Sequence, residues 1–112
     1  MTKKEKFIYL AGILDGEGCL NLQHRKGEYR KSTIACCIIS NTSKELIDWL
    51  HKNFGGYKYL TKREGNRKLQ YKLSFRYREI KKIIPKLIPY LRVKKKEAKQ
   101  SLKIVYQSRR LC

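Results

Sequence analysis

Leu10-Ala11-Gly12-Ile13-Leu14-Asp15-Gly16-Glu17-Gly18 is the stretch on which the reading of this chain turns. Phe7, Leu10, Ala11 and Leu14 recur at helical spacing, and Ile8, Tyr9 and Ile13 fill most of the remaining circumference. A helix that is apolar nearly all round must be buried on more than one side. Gly12 and Gly16 lie four apart on one face, a costly choice inside a helix unless something approaches closely. Asp15 and Glu17 fall at the C-terminal end, where the helix dipole disfavours negative charge. No Lys or Arg stands in the stretch to offset them, so a compensating cation is the natural explanation.

Downstream, Cys19 to Arg25 alternates in the manner of a half-buried strand, with Leu20 and Leu22 on one face and Asn21, Gln23 and Arg25 on the other. Lys26-Gly27-Glu28 reads as a turn, and Arg30 to Ile39 as a second strand whose Ile34–Ile39 half is apolar on both faces. Ser43 is the expected N-cap of a helix that turns Leu46, Ile47 and Leu50 to the core and stops at Gly55-Gly56. The pattern then repeats. Tyr57 to Lys62 and Lys68 to Tyr77 flank a turn, and the second strand sets Leu69, Tyr71, Leu73 and Phe75 opposite Gln70, Lys72, Ser74 and Arg76. A helix around Glu79 to Ile88 is expected to kink or restart at Pro85, Pro89 breaks the chain again, and Lys94 to Tyr106 forms a last helix. The order is α-β-β-α-β-β-α plus a terminal helix. It predicts an α+β domain over residues 1–112, one four-stranded antiparallel sheet with the helices on one face.

The opposite face is then expected to carry Asn21, Gln23, Arg25, Arg30, Ser32, Lys58, Lys62, Gln70 and Lys72, with no acid among them. Lys and Arg total 28 of 112 residues against 9 Asp and Glu, a formal charge of +19 spread from Lys3 to Arg110. Such an excess repels itself unless a polyanion neutralises it. A membrane surface would call for a basic amphipathic helix, yet much of this charge lies in strands. Double-stranded DNA is the favoured partner: Arg and Lys can read guanine, Asn and Gln adenine, from a ribbon in the major groove. Affinity is expected to fall steeply with salt.

Cys19, Cys36, Cys37 and Cys112 form no Cys-x-x-Cys pair, so the chain offers no zinc motif. They read as small apolar residues of a reducing compartment. The apolar run after Lys3, Lys4 and Lys6 ends at Asp15, too short for a membrane span and with acids where a signal cleavage site would lie. An intracellular location, cytoplasmic, nucleoid-associated or organellar, follows as the expectation. His24, His51 and Trp49 read as structural.

The nonapeptide 10–18 resembles the signature of the LAGLIDADG homing endonucleases, in the variant ending Asp-Gly-Glu-Gly. Ser40-Asn41-Thr42-Ser43-Lys44-Glu45-Leu46 is similar to the family's junction between second strand and second helix, and Tyr90-Leu91-Arg92-Val93-Lys94-Lys95-Lys96 to its segment bearing an active-site lysine. The resemblance implies a saddle of strands that reads a long, near-palindromic DNA site and a metal-dependent cut of both strands. A single motif implies a homodimer whose first helices meet through Ile8, Gly12 and Gly16. Glu17 is then the metal-binding catalytic acid, with Mg2+ or another divalent cation such as Mn2+ as cofactor. Asn41 holds water near the metal, Lys94 stabilises phosphate charge or tunes the nucleophilic water, and Asp15 is mainly structural. Where the family carries a further basic residue, this chain offers Ser43 or Glu45. Some relatives are non-catalytic DNA binders or intron-splicing maturases, which leaves intron RNA as an alternative partner.

Overall fold

The computed structural model describes residues 1–26, 31–63 and 66–107, and of residues 21, 23–26, 31–33, 62, 63, 66–68 and 107 the backbone alone. Arg30, Cys112 and the expected turn at Gly27 and Glu28 lie outside them. Along the chain come α1 (Lys3–Glu17), β1 (Gly18–Lys26), β2 (Lys31–Asn41), α2 (Lys44–Phe54), β3 (Tyr57–Arg63), β4 (Asn66–Phe75), α3 (Tyr77–Leu87), a 3-10 turn (Ile88–Tyr90) and α4 (Lys95–Gln107). None of these helices is long and apolar enough to cross a membrane.

The sheet is antiparallel in the order β1-β2-β4-β3, so the two hairpins join through their second strands. The pairs Cys37–Phe75 and Ile39–Leu73 make that seam. Leu20, Ala35, Cys37, Ile39, Leu73 and Phe75 are buried from the sheet, against Leu10, Ala11 and Leu14 of α1, Ile47 and Leu50 of α2, Ile80, Ile84 and Leu87 of α3, and Ala98 and Val105 of α4. The helices therefore share one face of the sheet, as their apolar stripes require. Burial pushes the Cys37 thiol up to about 12, which keeps it neutral as a core residue.

Local chemistry sets the element ends. Thr2 and Glu5 close a capping box on α1, Glu5 N–H donating to Thr2 Oγ1 at 3.1 Å and Thr2 N–H to Glu5 Oε1 at 2.7 Å. Ser43 caps α2 as expected, its Oγ accepting from Leu46 N–H at 3.2 Å. Gly55 and Gly56 stop that helix with φ of 80° and 98°, a backbone region that favours glycine. The strand β4 ends two residues earlier than its pattern predicts, because Arg76 N–H donates to Glu79 Oε1 at 3.0 Å and turns the chain into α3. Pro85 does not interrupt α3. Ile80, Ile83 and Ile84 before it and Leu87 after it are all buried, and that packing outweighs the missing N–H of an exposed turn.

The expected face of β3 is also overturned. Lys58 pairs with Leu73 and Lys62 with Leu69, so both occupy the helix-side phase of β3. Lys58 Nζ donates to Asp48 Oδ1 of α2 at 3.0 Å, and Lys44 Nζ reaches Oδ2 at the same distance. The helix-free face of β3 carries Tyr57, Tyr59 and Thr61 instead, paired with Ser74, Lys72 and Gln70.

The glycines of α1 separate into two kinds. A Cβ on Gly18 would lie 2.8 Å from the carbonyl oxygen of Leu14, whereas one on Gly12 or Gly16 would meet nothing within 4 Å. Gly18→Ala should therefore cost about 1–3 kcal/mol in urea unfolding, the range for overpacking. Gly12→Ala should leave the isolated protomer unharmed or gain about 1 kcal/mol of helix propensity. Equal effects of the two substitutions would contradict this assignment.

Candidate active site

The C-terminal end of α1 is where the distant parts of the chain meet. Its last turn contains no basic residue. The missing cation arrives from beyond α3: Lys94 Nζ donates to the backbone carbonyl of Asp15 at 2.8 Å. That carbonyl belongs to the negative end of the helix, where an ammonium is favoured. In return, the Asp15 carboxylate accepts from three successive backbone N–H groups, Arg92 at 2.7 Å, Val93 at 3.2 Å and Lys94 at 3.0 Å. Those donors lie just ahead of α4, so Asp15 fixes the turn that leads into it. Partial burial raises the Asp15 carboxyl, but the backbone donors and the Lys94 charge outweigh it and hold the group below its ordinary value. Both Asp15 oxygens are thereby occupied, in keeping with the structural role expected for it.

Glu17 stands apart from this clasp. It is exposed at the junction of α1 and β1, and its Oε2 accepts from Asn41 Nδ2 at 2.7 Å. Asn41 ends β2, and its Oδ1 accepts from Ser43 N–H at 2.8 Å. That bond fixes which end of the amide faces Glu17. One oxygen of Glu17 is thus oriented by Asn41, and Oε1 is left for a ligand. Ser43 is fully engaged as the α2 cap and as a donor to Asn41, while Glu45 is exposed and acidic. Neither supplies a further cation.

Among the described residues, no group of three His, Cys, Asp or Glu could hold a metal ion. A protomer offers one carboxylate, Glu17. Magnesium typically takes one or two carboxylates with phosphate oxygens and water. The donor set therefore fits a divalent ion only where substrate phosphate, or a second Glu17, completes it.

Around this point lies the rest of the expected site. Gly12 and Gly16 are exposed on α1, with Ile8 at 44% and Tyr9 at 45% exposure beside them. Leu46 completes a shallow groove with Ile8, Gly12, Gly16 and Glu17. On the helix-free face, the register places Asn21, Gln23, Arg25 and Ser32 in one phase, opposite buried Leu20, Ala35 and Cys37. Gln70 and Lys72 of β4 share that face. Sequence alternation alone missed Tyr57, Tyr59 and Thr61 there; along β2, the outer of the two apolar faces expected over Ile34–Ile39 consists of Ile34, Cys36 and Ile38. The rings of Tyr57 and Tyr59 stack at 5.9 Å, and the Arg76 guanidinium lies 5.3 Å from the centre of Tyr57.

Asp15→Ala should lower stability by about 1–3 kcal/mol, the range for leaving hydrogen-bonded groups without their partner. Because the folded carboxyl is held low, its contribution is present above the ordinary aspartate value of about 3.9 and is lost as pH falls through the lower folded value. Urea midpoints measured from pH 7 to pH 2.5 should show the gap between wild type and Asp15→Asn narrowing over that acidic window. A constant gap would remove the carboxylate from the account.

Comparison with known proteins identifies the family and the fold. The profile of the LAGLIDADG endonuclease family matches residues 10–106. A search of curated protein sequences gave no match. Among solved structures, the homing endonuclease I-CvuI, crystallised with the I-CreI target DNA in 2 mM magnesium with the DNA uncleaved, is 24% identical with a TM-score of 0.72 over 92% of this chain and 67% of its own. The archaeal intron-encoded endonuclease I-Vdi141I, bound to DNA, is 16% identical with a TM-score of 0.73 over 94% and 69%. The homing endonuclease I-TnaI is 20% identical with a TM-score of 0.70 over 97% and 75%. At these identities the structural likeness establishes the fold. The family match covers most of the chain and carries the motif around which the site is built, so this protein belongs to the LAGLIDADG endonuclease family.

Proposed function

We propose that two copies of this chain pair through α1 and cut both strands of a long, near-palindromic DNA site by divalent-metal-dependent phosphodiester hydrolysis. The observation that carries this reading is Glu17: an exposed carboxylate at the end of α1, oriented by Asn41 and adjoining a face of α1 with no side-chain cover at Gly12 and Gly16. Pairing through that face would cover Ile8, Tyr9 and the open glycine backbone and bring two Glu17 side chains to one place. The sheet faces of the two copies would then form one basic surface for duplex DNA.

A divalent cation bound there supplies Lewis-acid charge and a water of lowered pKa. Glu17 would hold that cation, and Asn41 keeps the Glu17 carboxylate in one rotamer. Lys94, fixed on the Asp15 carbonyl, places an ammonium two residues along the chain from Glu17. Its charge favours an anionic phosphate in the site. Asp15 takes no part in proton transfer, since both of its oxygens hold the chain before α4.

Glu17→Gln should keep the fold and DNA binding and abolish cleavage in magnesium or manganese. Cleavage by this variant at the wild-type rate would sink the catalytic assignment. Gly12→Leu or Gly16→Leu should leave the protomer folded, because each position opens onto free space, yet give a monomer that does not cut. Sedimentation and cleavage measured on the same preparation test this. A monomeric variant with normal double-strand cutting would refute the pairing.

The absence of a cation at Ser43 or Glu45 favours one second reading, a non-catalytic DNA-binding protein or intron maturase on this scaffold. Binding of target duplex and of the host intron RNA, with and without magnesium, separates the two. A maturase prefers the RNA and cuts no DNA.

A further inference from the structure

On the helix-free face of the sheet, the four strands do not present the same chemistry. In register, β1 offers Asn21, Gln23 and Arg25, and β4 offers Gln70, Lys72 and Ser74. Beside β1, β2 carries Ile34, Cys36 and Ile38, bounded by Ser32 and Ser40; β4 pairs with β2 only from Cys37 to Asn41, so Ile38 alone of the three has a strand on both sides. These three are half-buried and do not belong to the set of side chains packed against the core, which lies on the other face. A solvated face of a protein with 33% charged residues has no need of isoleucine at the middle of its central strand. A surface that reads base edges does, because thymine alone among the four bases carries an apolar group, its C5-methyl, into the major groove.

Ile34 to Ile38 spans about 14 Å at 3.4 Å per residue, which is about four base-pair steps at 3.4 Å each. Neither isoleucine can accept or donate a hydrogen bond, so neither can hold a guanine, cytosine or adenine edge. Facing those edges, the stripe would strip water from polar atoms without replacing its bonds, which counts against such sequences. Facing thymine methyls, it buries apolar surface on both sides.

We propose that the β2 stripe of Ile34, Cys36 and Ile38 selects thymine in the interior of each half-site, by methyl contact rather than by hydrogen bonding. This rests on the DNA-endonuclease reading above and adds the class of sequence that the face prefers.

The test starts from a randomised duplex library bound by the wild-type protein without divalent metal, so that binding is scored and cutting is not. The expected consensus has two symmetric half-sites, each with two or more thymines flanked by positions of hydrogen-bonding readout. Replacing those thymines with deoxyuridine removes only the methyl, and each replacement should weaken binding about fourfold, the worth of one buried methyl-sized group. Ile38→Ala, checked for an unchanged thermal transition, should erase the thymine–uracil difference at one position and keep it at the others. The uracil comparison needs no variant, so it stands even if Ile38→Ala fails to fold. Specific binding with no interior thymine, or with thymine and deoxyuridine bound equally, overturns the proposal and leaves the nuclease reading standing. Retention of no duplex at all overturns both.

Discussion

The structure depends on the reciprocal grip between Asp15 and the segment Arg92–Lys94. The two partners are 77 to 79 residues apart, yet each satisfies what the other leaves open. The end of α1 has carbonyls and no cation of its own, and the turn Arg92–Lys94 ahead of α4 has three successive backbone N–H groups to satisfy. Lys94 meets the first need and the Asp15 carboxylate the second. The consequence is positional. Because α4 packs on β1 and β2 through Ala98 and Val105, fixing its start to α1 also fixes where α1 ends above the sheet. Glu17 follows two residues later, so its place is set by a contact in which it takes no part.

A second constraint acts from the sheet. Ile39 pairs with Gly18, which carries the end of β2 to the end of α1 and lets Asn41 reach Glu17. Gly18 is the residue that tolerates no side chain there, since Leu14 occupies the space. The motif thus contains three glycines with different duties. Gly18 leaves room for Leu14, whereas Gly12 and Gly16 face outward and leave α1 slim on its open side.

Much of this was legible in advance because several signals agreed. In β4, Leu69, Tyr71, Leu73 and Phe75 alternate against polar residues, and the buried face follows directly. The Ser43 cap and the Gly55-Gly56 stop are local chemistry, read without tertiary information. In β3 the signal was ambiguous: Tyr57-Lys58-Tyr59-Leu60-Thr61-Lys62 mixes polar and apolar residues in both phases. β3 is also an edge strand, where even the helix-side Leu60 remains 56% exposed. Burial did not choose the phase, and the choice lies with β4 pairing and with Asp48, which draws Lys58 to the helix side. Pro85 failed as a stop for a related reason, because the apolar stripe of α3 continues on both sides of it. The clasp at Asp15 was visible only as a gap, a helix end in want of a cation.

The charge excess also takes a different shape once the faces are known. Lys58 and Lys44 spend their charges on Asp48, and Lys94 on the end of α1, so not every lysine is free for a polyanion. On the helix-free face, the register sets amides and cations on β1 and β4, while β2 carries Ile34, Cys36 and Ile38. A uniformly basic sheet would hold any duplex, with affinity set by phosphate count and salt. A face that alternates hydrogen-bonding and apolar strands discriminates among base edges as well, because a mismatched edge loses water without regaining a partner. On the proposed reading, the net charge draws nucleic acid and the division of labour among the strands makes the choice within it.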